Sequence, residues 1–99
     1  MRPIYTARPE KTRPVLVLTH ELVRPYLTRV AVAPITTTIR GLSTEVPVGR
    51  ANGLAEHSVI SCDDIVTVPM STLDRQIGYL LPAQEAALTA AIHAAFDLD

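Results

Sequence analysis

Sulfur and aromatic side chains are scarce in this chain of 99 residues. Cys62 is the only cysteine, which excludes an intrachain disulfide and a cysteine-based zinc site and points to a reducing compartment. Tryptophan is absent, and Tyr5, Tyr26, Tyr79 and Phe96 are the only aromatic residues. A base-stacking platform of several rings is therefore not expected. No apolar run approaches the roughly 18 residues of a membrane-spanning helix, and Met1 to Pro14 mixes prolines and charges where a secretory leader needs a basic start and an apolar core. A cytoplasmic protein with no membrane association is expected. Glycine-rich phosphate loops, histidine pairs at metal spacing and a nucleophile elbow are also missing, so neither a cofactor nor a metal is called for.

What is present is aliphatic. Apolar residues make up 47% of the chain, enough for one core and, at this length, for one domain spanning 1–99. The net charge of −1 is no signature of a nucleic-acid binder. Its distribution is informative, because Arg2, Arg8, Lys11, Arg13, Arg24, Arg29 and Arg40 face only Glu10 and Glu21 within the first 40 residues, a balance of +5. The remainder sets Arg50 and Arg75 against eight carboxylates, a balance of −6. If the fold gathers those arginines on one side, that side attracts anions.

Arg13-Pro14-Val15-Leu16-Val17-Leu18-Thr19 is the stretch around which the chain is organised. Its apolar run has no 3.6-residue period and reads as a central strand covered on both faces. A short edge strand is expected around Ile4 and Tyr5, with Pro3 tolerable at an edge or a strand start. His20 to Thr28 forms a loop. A long strand follows over 29–39, with a bulge or edge position at Pro34. Further strands are expected over 43–48, 58–62, 65–68 and 75–81, with turns at Gly41-Leu42 and Asn52-Gly53. Ser71 and Asp74 suggest a capping box opening one helical turn. Pro82 to Phe96 is the one long helix, with Leu88, Ile92 and Ala95 or Phe96 on the face that packs on the sheet. A mainly antiparallel β fold follows, with five or six short strands bent into a small barrel and closed by a C-terminal helix.

Candidate chemistry is sparse. His57 precedes Ser58, but strand neighbours point to opposite faces, and His93 reads as a helix-surface residue. His20 stands in a loop that could touch a ligand. Asp63-Asp64 is too small a cluster for a metal site and reads as a solvated turn. Cys62 lacks a local partner that would make it a nucleophile. Arg13 and the threonines at 36–38 could meet at one sheet rim if their two strands pair.

Arg13 to Leu18, Val30-Ala31-Val32-Ala33-Pro34-Ile35-Thr36, Ser58 to Asp63 and Thr67-Val68 resemble, in order and over nearly the whole chain, the MazF/PemK toxins of bacterial toxin–antitoxin modules. The resemblance implies a homodimeric SH3-like barrel of the CcdB/PemK type and metal-independent cleavage of single-stranded RNA, with messenger RNA the first target and ribosomal or transfer RNA as others. It also implies neutralisation by a cognate MazE-like antitoxin. By position, the catalytic arginine and threonine fall on Arg13 and Thr36, and a proton-transfer carboxylate falls on Asp63. RNA contacts are expected from Glu10, Lys11 and Thr12 before the central strand and from Thr37, Thr38 and Arg40 after the second. His20 and Ser61 complete the set, Ser61 standing where some relatives carry an arginine. Two other functions fit the same barrel: a non-catalytic toxin that binds a topoisomerase, and a small RNA-binding barrel without chemistry.

Overall fold

Residues 1–8 and 12–98 are described by a computed structural model. The strands are β1 (Pro3–Ala7), β2 (Arg13–Val17), β3 (Arg29–Thr36), β4 (Glu45–Val48), β5 (Ser58–Ser61), β6 (Val66–Pro69) and β7 (Leu73–Tyr79), and the helix is α1 (Glu85–Phe96). Every pairing is antiparallel, in the order β4-β5-β3-β2-β1-β7, with β6 added beside β3. Among the described residues seven strands form, one at each of the seven stretches read as extended, so the barrel has more strands than the five or six short ones expected of its overall shape. The N-terminal strand is also not at an edge: β1 lies between β2 and β7, and Pro3 is accommodated as its first residue.

Strand β3 is the branch point. Its first half, Arg29 to Val32, pairs with β6, and its end, Ile35 and Thr36, pairs with β5. Ala33 and Pro34 lie between these two partners. A proline there removes no ladder bond on that side, so Pro34 marks a change of partner within an interior strand. The strand stops at Thr36, short of the expected 39, because Thr36 Oγ1 accepts the Thr38 amide at 3.1 Å and turns the chain.

Alternation divides the apolar residues between two layers. Leu16, Ala33, Ile35, Val46, Val48 and Ile60 point to one face, where Leu88 and Ala91 of α1 cover them. Val15, Val17, Val30 and Val32 form a second cluster with Tyr5, Ala7, Val68 and Leu73. Strand β2 is thus covered on both faces, as its uninterrupted apolar run predicts. Ile92 and Ala95 pack against the first cluster, whereas Phe96 is 55% exposed, so the helix stripe is Leu88, Ala91, Ile92 and Ala95. The turn at Met70–Thr72 is 3-10 and has no side-chain cap; Thr72 Oγ1 donates to the Pro69 carbonyl instead of a Ser71 box forming.

One close backbone approach ties the ends of the sheet together. Asn52 is 1% exposed, and its Nδ2 donates to the Tyr79 carbonyl and to Gln84 Oε1 while its Oδ1 accepts the Gly49 amide. Gly53, at φ 86°, and Gly78 press backbone against backbone: a Cβ on Gly78 would overlap the Asn52 carbonyl, and one on Gly53 the Ile77 carbonyl. Gly78→Ala should accordingly lower the unfolding free energy by about 2 kcal/mol or more, read as a lower urea midpoint at unchanged slope; an unchanged midpoint would show that the two segments are free to separate.

Candidate active site

The strand registers assemble a site on the face opposite α1. Val15 pairs with Pro34 and Ser61 with Glu45, while Ile35 pairs with Ile60. Val15, Pro34, Ser61 and Glu45 therefore form one row across four strands. The β2–β3 register, continued to the strand ends, sets Arg13 against Thr36 on the same face. A cleft of about 290 Å³ opens there, lined by Arg13, Thr36, Thr38, Arg40, Ser61, Pro34 and Ile35, with the carboxylates Glu45 and Asp64.

The Thr36 hydroxyl is half-buried, and its oxygen already accepts the Thr38 amide. Among the described residues its proton has no acceptor, so it can be donated into the cleft. Arg13 and Arg40 are exposed, and among the described residues neither pairs with a carboxylate. Three other arginines of the basic N-terminal half are neutralised: Arg2 by Glu85 at 3.1 Å, Arg8 by Asp74 at 3.2 Å and Arg24 by Glu21 at 3.8 Å. Among the described basic residues of that half, Arg13, Arg29 and Arg40 are left without a carboxylate partner, and two of these three stand at the cleft.

The carboxylates are arranged differently from the sequence expectation. Cys62–Asp64 is a 3-10 turn, whose roughly 120° step per residue sends consecutive side chains in different directions. Asp63 turns to accept the Thr44 hydroxyl and does not line the cleft. Asp64 does line it and accepts Ser61 Oγ at 2.9 Å. Glu45, also unanticipated, accepts the amides of Arg40, Gly41 and Leu42 at 3.2, 2.9 and 3.2 Å. The only signal for Glu45 in the sequence is a carboxylate placed soon after the Gly41 turn.

The remaining sequence candidates divide. Thr38, Arg40 and Ser61 join Arg13 and Thr36 in the cleft, while Thr12 and Thr37 are exposed and do not line it. Glu10 and Lys11 lie outside the described residues. His20 is displaced: it lines a different cavity of about 320 Å³ with Arg2, Arg24 and Glu85. That cavity is at the other end of β2, about 20 Å from Arg13 at roughly 3.3 Å per strand residue. Among the described residues no three His, Cys, Asp or Glu side chains converge as metal ligands, and no helix is long and apolar enough to cross a membrane.

Fold and cleft together define a class: a small bent antiparallel sheet backed by one C-terminal helix, with guanidinium and hydroxyl donors at one rim. The family model for the PemK-like, MazF-like toxin of type II toxin–antitoxin systems matches residues 2–96, and the chain belongs to that family. Endoribonuclease MazF3 of Mycobacterium tuberculosis (strain CDC 1551 / Oshkosh) is 64% identical over 99 residues, which cover 100% of this chain and 96% of that relative. The solved structure of Mycobacterium tuberculosis toxin MazF-mt6 superposes with a TM-score of 0.96 at 63% identity, covering 99% of each chain. A more distant endoribonuclease from Mycobacterial species, solved in complex with its cognate antitoxin, shares the fold with a TM-score of 0.87 at 23% identity, over 98% of this chain and 93% of that one.

Cys62 is the first residue of the turn that carries Asp63 and Asp64 and is fully buried, which pushes its thiol up to about 11, with the Asp63 charge a second cause. It stays protonated and plays no nucleophilic part at neutral pH. Because the unfolded thiol ionises near 9.0, its stabilising contribution is complete below pH 9.0 and is lost as pH rises towards 11. Cys62→Ala should remove that part of the alkaline decline in denaturant midpoint, and native Cys62 should react with a maleimide at pH 8 far more slowly than the unfolded chain. Equal labelling rates would contradict the burial.

Proposed function

We propose that this chain is an endoribonuclease toxin of a type II toxin–antitoxin pair, cutting single-stranded RNA without a metal through the cleft at Arg13 and Thr36. One observation carries the assignment: a guanidinium and a hydroxyl whose proton no described residue accepts stand on one sheet face at the rim of a cleft. The close relative that bears the name endoribonuclease supports it.

RNA carries its own nucleophile. The 2′-oxygen attacks the adjacent phosphorus as its proton is removed, the bond from phosphorus to the 5′-oxygen breaks, and the departing oxygen takes a proton. The products are a 2′,3′-cyclic phosphate and a 5′-hydroxyl end. Negative charge accumulates on the non-bridging phosphoryl oxygens, and fixed donors aimed at them lower the barrier. Arg13 offers a planar fork of N–H groups matched to two such oxygens, and Thr36 adds an O–H donor. Arg13 serves as a donor and not as a base, because a guanidinium presents five N–H groups and no acceptor. A carboxylate takes the 2′-proton in this scheme; that Asp64 lines the cleft while Asp63 is turned to Thr44 supports Asp64 in that role over Asp63.

Arg40 and Thr38 extend the donor surface along the RNA backbone. The protein works in the cytoplasm as a homodimer. Phe96 and Leu98, each 55% exposed at the end of α1, support apolar contact with a second copy. A MazE-like antitoxin neutralises it, a reading supported by the related endoribonuclease solved with its cognate antitoxin.

Arg13→Ala, with its fold verified by circular dichroism, should cut RNA roughly 10²-fold or more slowly. Arg13→Lys should recover only part of that loss, because an ammonium cannot reproduce the two-pronged contact. Cleavage by Arg13→Ala at the parental rate would remove the assignment.

A further inference from the structure

Glu45 does more than line the cleft. Its Oε1 receives three consecutive amides, Arg40, Gly41 and Leu42, and its Oε2 receives the Arg40 amide again at 3.3 Å. Its own amide closes the turn by donating to the Leu42 carbonyl at 3.1 Å. Successive amides converging on one point make a concave anion site, and here a side chain of the same protein fills it. Gly41 permits the curvature: it sits at φ 73°, where a Cβ would meet nothing within 4 Å, so conformation and not space selects glycine.

The carboxylate is fixed from behind, because Glu45 pairs with Ser61 in the β4–β5 ladder. It thereby ties an otherwise exposed loop to the sheet. That loop carries Arg40, whose guanidinium shares the cleft with Arg13. An exposed loop free of this clamp would spread Arg40 over many positions, and ordering it on each RNA molecule would weaken binding.

We infer that Glu45 is a positioning residue for RNA: it clamps the Arg40–Leu42 loop so that Arg40 meets a backbone phosphate beside the one bound by Arg13. This rests on the ribonuclease reading above. The role differs from that of Arg13, since Arg40 contributes to binding of the chain and not to the reacting phosphoryl group. Losing the clamp should raise KM with a smaller change in kcat, the reverse of the Arg13→Ala pattern.

The decisive experiment measures binding of a non-cleavable 2′-O-methyl oligonucleotide, spanning a cleavage site mapped with the active protein, at a series of salt concentrations. A lost phosphate contact lowers the slope of log affinity against log salt by about 0.7 for a single strand. Glu45→Ala and Arg40→Ala should each lower it by that amount and weaken binding about tenfold, and the double variant should lose no more than either alone. Gly41→Val, which distorts the loop but keeps the carboxylate, should match them, and this covers the case in which Glu45→Ala folds poorly. Folded Glu45→Ala and Gly41→Val proteins with the parental slope would overturn the inference while leaving the ribonuclease reading intact, as would a double variant whose losses add. An unvaried protein without salt-dependent RNA binding would overturn both.

Discussion

The antiparallel register between β2 and β3 is the constraint on which the site depends. It places Val15 opposite Pro34, and from that one pairing Arg13 and Thr36 arrive together at the rim. A slip of one residue would turn Arg13 toward the helix-covered core while Thr36 stayed on the cleft face. Two apolar layers prevent it. Leu16 is fully buried under α1, and Val15 and Val17 are buried on the other side. Any shift would exchange these environments along with the functional groups. The same strand that carries Thr36 also binds β5 and β6, so its position is fixed from three directions.

Around this fixed pair the acidic residues act largely as scaffolding. Glu45 gathers the amides of the Arg40 loop, Asp63 holds Thr44, and Asp64 holds Ser61. Elsewhere Glu85, Asp74 and Glu21 neutralise arginines. A chain of net charge −1 can in this way still present, in one small cleft, two guanidinium groups that no carboxylate among the described residues pairs. Local arrangement decides the field that a phosphate meets, and the total charge says little about it.

The sequence carried the central strand openly, because four apolar residues in a row, two of them β-branched and with no 3.6-residue period, read better as a strand buried on both faces than as an amphipathic helix. Resemblance pointed to Arg13 and Thr36 as a pair, and the β2–β3 register brings those two residues to one rim. Other features were not readable. Choosing between Asp63 and Asp64 requires knowing that a 3-10 turn begins at Cys62. The clamp at Glu45 and the contact of Gly78 with Asn52 depend on partners brought together only by the fold. His20 was open to correction by counting, since it follows the strand that begins at Arg13 and so must lie at its far end. Phe96 fits helical spacing but falls beyond the core that Leu88 and Ala91 cover.

The chemistry of the cut ends tests the catalytic reading most directly. Purified protein incubated with a long single-stranded RNA in excess EDTA should produce fragments with 5′-hydroxyl and 2′,3′-cyclic phosphate ends, because in the proposed mechanism the attacking oxygen belongs to the RNA and Arg13 and Thr36 meet the developing charge. Fragments with 5′-phosphate ends, or RNA left whole by a protein that cuts it when divalent ions are restored, would contradict it.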